Sequence, residues 1–176
     1  DYFSRTGVDL KYRVGSNLTL DATVNPDFGQ VEVDPAVINL TAFETRLQER
    51  RPFFVEGSEI FEFGRGGPTG STGRAPEIIY SRRIGRRPQG RVSRDAVYSD
   101  KPVATTIAGA AKITGKIGNG WSLGLLEAVT GSETAPYIDE LGANGSSITE
   151  PSANYFLGCI RKDMRAGQTR IGALAS

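Results

Sequence analysis

Strict alternation of apolar and polar residues on both sides of a tight turn constrains this chain more than any other feature. Val8, Leu10, Tyr12 and Val14 alternate with Asp9, Lys11 and Arg13. After Gly15-Ser16-Asn17, Leu18, Leu20, Ala22 and Val24 alternate with Thr19, Asp21 and Thr23. Successive side chains of a strand point to opposite faces, so this pattern predicts an antiparallel hairpin with one apolar face and one polar face. The pattern returns late in the chain. Ile107, Gly109, Ala111, Ile113 and Ile117 alternate with Lys112, Thr114 and Lys116, Gly118-Asn119-Gly120 makes a turn, and a strand continues from Trp121. A further strand is expected over about Asn154 to Lys162, a turn at Arg165-Ala166-Gly167, and a last strand from about Thr169. Which face of the Asn154 strand is apolar stays open, because Phe156/Ile160 and Tyr155/Leu157 compete.

The expected fold class is all-β, an antiparallel meander of six or seven strands. Glycine supports this, at 22 of 176 residues, since it serves turns and close strand contacts. Short turns at Gly15, Gly118 and Ala166 contrast with long connections around Gly64 and Gly145. Outer-membrane β-barrels have that asymmetry, and a spanning strand needs only about 9–11 residues with alternate positions apolar. No run of about 18 apolar residues exists to form a membrane-spanning helix. The reading is therefore part of an outer-membrane barrel, with Val8, Leu10, Leu20, Ile107 and Ile113 facing lipid, and Trp121 and Tyr155 in the headgroup belt. The chain starts at Asp1 and ends in what reads as a strand just begun, so a piece of a longer chain is expected.

Between the hairpins the pattern breaks. Residues 25–63 form a long insertion, 64–104 hold Gly- and Arg-rich connections with one short strand near Glu77 to Ile84, and 105–176 resume the barrel strands, residues 1–24 being the first hairpin. Asp34 caps a helix start at Pro35, and Ala36, Val37, Leu40, Phe43 and Leu47 recur at near-helical spacing. Short helical turns are expected over about Pro35 to Glu49, with Pro52 ending them. The insertion reads in two ways, both on the polar side of the sheet. It is a plug whose Glu44, Arg46, Glu49, Arg50, Arg51 and Glu56 pair with lumen charges, or a clasp with Phe53, Phe54, Phe61 and Phe63 as a miniature core.

Charge and residue type narrow the chemistry. Twenty-one Lys and Arg against 20 Asp and Glu give a net charge of +1, which supplies no global attraction for nucleic acid. Histidine is absent and Cys159 is the sole cysteine, excluding Ser-His-Asp and Cys-His catalysis, an internal disulfide and a Cys-based zinc site. Cys159 is expected as a small packed residue. No catalytic residue, metal site or cofactor is expected. Asp27, Glu32 and Asp34 have the residue type for calcium or a hydrolytic carboxylate pair, but the simpler roles are turn former and helix cap. The loop GRGGPTGSTG lacks the Lys-Ser/Thr of a phosphate-binding loop. Arg82, Arg83, Arg86 and Arg87 either recognise anionic sugars or phosphates or pair with Glu56, Glu59 and Glu62 of the insertion, the latter being favoured.

The blocks LTLDATVNPDFGQVEVDPAVINLTAFET, RRPFFVEGSEIF and YSRRIGRRPQG resemble the domain-of-unknown-function 5916 family. AGAAKITGKIGNGWSLGLLEAVT and NYFLGCIRKDMRAGQTRIGALAS resemble its continuing strands. The resemblance implies a bacterial outer-membrane β-barrel, commonly preceded by a family 9 carbohydrate-binding-like domain. It brings no catalytic residues. The function expected is uptake, passage or surface handling of a substrate such as a carbohydrate. The alternatives are a membrane-associated hydrolase of glycans or peptides and a soluble carbohydrate-binding β-sandwich. Expected partners are outer-membrane lipid, carbohydrate and the remaining barrel strands of a parent chain, with no nucleic acid.

Overall fold

The computed structural model describes residues 6–26, 48–61, 80–165 and 169–176. Its main element is a six-stranded antiparallel sheet. In spatial order it contains β1 (Val8–Val14), β2 (Leu18–Val24), β4 (Ile107–Gly118), β5 (Trp121–Thr130), β8 (Ala153–Met164) and β9 (Thr169–Ala175). A second sheet of three strands has the order β3 (Ala96–Ser99), β6 (Glu133–Asp139), β7 (Asn144–Glu150). The all-β antiparallel expectation holds.

The predicted first hairpin forms with Val8 opposite Val24 and Tyr12 opposite Leu20. Paired residues share a face, so this register stacks the apolar sets. The same phase runs on through Leu20 opposite Ile113, Ile113 opposite Leu125, and Leu123 opposite Ile160. Asn119 and Gly120 both have positive φ, at 46° and 75°, as the two-residue turn between β4 and β5 requires. Gly115, at φ 152°, admits β2 so closely that a Cβ there would lie 2.0 Å from the Asn17 carbonyl oxygen.

Three expectations change. The connection from about Gly131 to Ser152, read as a loop, is the β6–β7 hairpin, which prolongs β5 and β8. Glu133 lies opposite Glu150 and Ala135 opposite Ser147. The polar connection before Thr105 contains β3, which pairs with β6 through Ser99 and Tyr137. These pairings override weak local propensity. The short strand at Glu77 to Ile84 is replaced, over its described residues, by a 3-10 turn at Ser81–Arg83.

The turns at 15–17 and 119–120 lie at one end of the main sheet, where β8 ends and β9 begins, as the strand order and registers require. The end of β2, the start of β4 and the β6–β7 hairpin between β5 and β8 lie at the other. Residues 48–61 cross the polar face. Pro52 opens a one-turn helix, α1 (Pro52–Val55), where it was expected to end one. Its missing N–H is no loss at the first helical position. A 3-10 turn follows at Ser58–Ile60. The helical turns expected over 35–47 and the Gly-rich loop lie outside the described residues.

Candidate functional site

The polar face of the sheet and the inner segment 48–61 together form the most elaborated part of the molecule. Phe54 is buried in a cluster with Ile84, Ile107, Ala110, Leu126, Ala128 and Leu157, and Phe53, Phe61, Tyr155 and Leu174 pack around it. This gives the expected miniature core its members Phe53, Phe54 and Phe61; Phe63 is outside the described residues. Gly124 lets the segment lie directly on β5. A Cβ there would sit 2.7 Å from Phe61 Cε1 and 2.8 Å from Ile60 Cγ2.

Sheet side chains hold the segment by its peptide oxygens. Lys112, 2% exposed, donates from Nζ to the carbonyls of Phe53 and Glu56, both at 2.5 Å. Its Nζ also lies 3.6 Å from Asp21 Oδ2 and 5.0 Å from the centre of the Phe53 ring. Arg161 Nη1 donates to the Glu59 carbonyl at 3.3 Å, and Cys159 Sγ to the Ile60 carbonyl at 3.2 Å. A buried ammonium needs such acceptors, because desolvating an unpaired charge is costly. Lys11 pairs with the Glu56 carboxylate, and this contact holds that carboxyl below its usual range.

A second anchor ties the segment to the chain beyond it. Arg51 meets Glu49 as a fork, Nε to Oε1 at 2.9 Å and Nη2 to Oε2 at 2.7 Å. Nη1 and Nη2 also donate to the carbonyls of Ile84 (2.7 Å) and Ser81 (2.8 Å), and Ser81 Oγ donates to Glu49 Oε2 at 2.6 Å. The guanidinium stacks 4.3 Å from the Phe54 ring centre. These bonds take up the Ser81 and Ile84 carbonyls without a strand ladder, which is why residues 81–83 turn. Burial pushes the Glu49 carboxyl up, but the hydrogen bonds from Arg51 and Ser81 and the Arg51 charge outweigh it and bring it to about 2.

Of the residues expected to form a polar network, Glu49 and Arg51 meet each other, and Arg50 donates its backbone N–H to Glu49 Oε1 at 3.0 Å. Glu56 meets Lys11. Arg82 and Arg83 lie on the turn that Arg51 grips. Glu44 and Arg46 fall outside the described residues, as do Asp27, Glu32 and Asp34. The expected pairing of the downstream arginines with insertion acids is corrected for Arg86, which pairs with Glu150 of β7 at 3.3 Å. Lys112 and Arg161 were missed as anchors. Their signal was present, since Lys112 alternates in phase with Ala110 and Thr114. Cys159 is buried, as expected of a packed thiol.

The opposite face carries Val8 (65% exposed), Leu10 (54%), Tyr12, Val14, Leu125, Phe156, Ile160 and Ile171 in the open. Leu20 and Ile113 lie half-buried in the same layer. Ile107 does not belong there. It is 6% exposed and inside the core cluster, because the ladder slips between Ile107 and Gly109 and inverts its side. Tyr155 likewise packs against the core rather than standing in an exposed belt. Trp121 stays exposed at the short-turn end, with Lys162 Nζ 5.2 Å from its ring centre. Phe156 and Ile160 thus settle the open face of β8. Among the described residues no three His, Cys, Asp or Glu side chains gather to hold a metal ion, and no helix is long and apolar enough to cross a membrane.

These features define a meander-sheet protein with one apolar face turned outward and one polar face gripping its own chain. The chain belongs to the family described as Domain of unknown function (DUF5916), whose model matches residues 2–166. Neither the curated proteins nor the solved structures give a match.

Proposed function

We propose that this chain forms part of a β-barrel in a bacterial outer membrane, where it serves the passage or surface handling of a substrate such as a carbohydrate. One observation carries the reading: the outward face of the six-stranded main sheet is predominantly apolar, interrupted on β5 by Glu127, and much of it is exposed. Valine, leucine, isoleucine, tyrosine and phenylalanine occupy it from Val8 on β1 to Ile171 on β9. An exposed apolar surface of that continuity is a liability in water and the required surface in lipid. Charged and hydroxylated groups concentrate on the other face, as a barrel interior would have them. The strands β4, β5 and β8, at 12, 10 and 12 residues, have the length a tilted span needs. Trp121 and Lys162 at the short-turn end suit a headgroup boundary, where an aromatic ring and a snorkelling ammonium are both at home. β1 and β9 form the two edges of this sheet, so closing it calls for further strands.

The test is membrane assembly of the whole protein carrying Leu125→Arg, Leu20→Arg or Ile113→Arg. A charge at mid-depth on the lipid face costs about 2–4 kcal/mol. The variants should lose the heat-modifiable folded band on a gel and fail to enter the membrane fraction, while Lys116→Ser on the polar face assembles. Normal assembly of all three arginine variants, or a folded detergent-free monomer, would overturn the reading.

A further inference from the structure

Residues 86–95 form a strap against β7 of the β6–β7 ribbon. Over 80–95 the sequence YSRRIGRRPQGRVSRD carries six arginines against one acid, Asp95, in a chain whose net charge is +1. The strap's main chain is fixed. The Arg86 carbonyl accepts the Thr105 N–H at 2.9 Å, and the Gly90 N–H donates to the Thr149 carbonyl at 2.7 Å. The Gln89 N–H donates to Glu150 Oε2 at 3.0 Å and the Ser93 N–H to Ser147 Oγ at 3.2 Å. Gly90 presses so closely on β7 that a Cβ would fall 2.4 Å from the Thr149 oxygen, and Pro88 is buried beside it. With those two residues turned inward, Arg87, Arg91 and Arg94 are left exposed.

Charge is uncompensated there. The nearby acid, Glu150, is held below the usual carboxylate range by the Gln89 N–H and by Arg86, and so is already engaged. Among the described residues no acid pairs with Arg87, Arg91 or Arg94. Arg87 and Arg91 are four residues apart and Arg94 follows on a turn closed by the Ala96 N–H and the Ser93 carbonyl, so the three cations are spread along the strap and suit an elongated ligand with repeated charges rather than one small anion. Guanidinium forks match carboxylates in a bidentate way, and a backbone already fixed lowers the ordering cost of binding. Between the arginines stand Pro88, Gln89, Gly90, Val92 and Ser93, with no aromatic ring on which a nucleobase could stack. The Gln89 amide, also exposed, offers a partner for sugar hydroxyls.

We infer that this strap is a binding site for a carboxylate-bearing polysaccharide, with Arg87, Arg91 and Arg94 as its contact residues. The inference does not rest on the membrane reading. It is tested by titrating the whole protein with labelled polygalacturonate at low and high salt. The wild type should bind, more weakly as salt screens the charges. The triple variant Arg87→Ser, Arg91→Ser, Arg94→Ser should bind at least tenfold more weakly. Removing three exposed cations elsewhere, with Arg13→Ser, Lys116→Ser and Arg165→Ser, should change binding less than twofold. No binding by the wild type, equal loss in both triple variants, or equal binding of neutral dextran, polyglutamate, polyphosphate or single-stranded DNA would overturn it. Heat-modifiable folding of the strap variant, measured in parallel, separates this outcome from a failure of assembly.

Discussion

Leu125 and Leu126 are neighbours in β5 and stand on opposite sides of one sheet. Leu125 is 37% exposed in a layer of other apolar side chains, whereas Leu126 is 6% exposed, beside Leu157 of β8 and in one cluster with Phe54. On the outward side, only composition is specified: any apolar residue of adequate size serves. On the inward side, individual atoms are specified, because a particular ammonium must reach two particular carbonyls. A sheet whose two faces obey such different requirements should respond very differently to the same substitution.

The largest difference should come from the Arg51 anchor. Glu49→Ala leaves a buried guanidinium without its carboxylate, a loss of about 4 kcal/mol. Denaturant unfolding should show it, and Glu49→Gln should recover part of the stability. A change below about 1 kcal/mol would mean that the fork does not hold the segment. Next, Leu126→Ala should cost about 3 kcal/mol through the lost contact and the cavity, while Leu125→Ala should cost under about 1 kcal/mol in detergent. Equal values would erase the distinction between the faces. Smaller still, Gly124→Ala should destabilise by about 2 kcal/mol by pushing Phe61 and Ile60 off the sheet. Gly158→Ala, on the other side, meets the Phe156 ring at 3.2 Å and the end of Leu125 at 3.5 Å, both able to give way, and should stay within about 0.5 kcal/mol. Acid reads the Arg51 anchor a second way. Glu49 has a folded pKa of about 2 against an ordinary value of 4.5. Its stabilisation is therefore fully present above pH 4.5 and fades as the pH falls toward 2, since the unfolded state takes up the proton first. Glu49→Gln should flatten that acid limb of the stability profile.

Much of the main sheet could be read from the residues because alternation reports directly on faces. The β1–β2 hairpin and the β4–β5 turn formed as their patterns predict. β8 stayed ambiguous for a physical reason: its inner residues Leu157 and Cys159 are covered by the inner segment, so both of its faces are apolar. Ile107 was misplaced because a slipped ladder leaves no mark in composition. The strands ETAPYID and NGSSITE were missed because they contain Pro136, Gly145 and two serines, and they become strands by extending a hairpin already formed and by pairing with β3. Part of the inner network was foreseeable, since the mixture of Glu49, Arg51 and Glu56 announced ion pairing. Its geometry was not. Arg51 grips Ser81 and Ile84 across about thirty residues of sequence, a contact no local pattern encodes.

The way Lys112, Arg161 and Cys159 hold residues 53–60 has an evolutionary corollary. Every amino acid carries the same carbonyl, so a grip on carbonyls is blind to the identity of the residue that bears them. Val55, Ser58 and Glu59, all exposed, are therefore free to diversify, and with them the chemistry the segment displays, while the path of the chain stays put. The tolerance ends at Gly57, whose left-handed φ of 69° and close approach to Thr114 leave no room for a side chain.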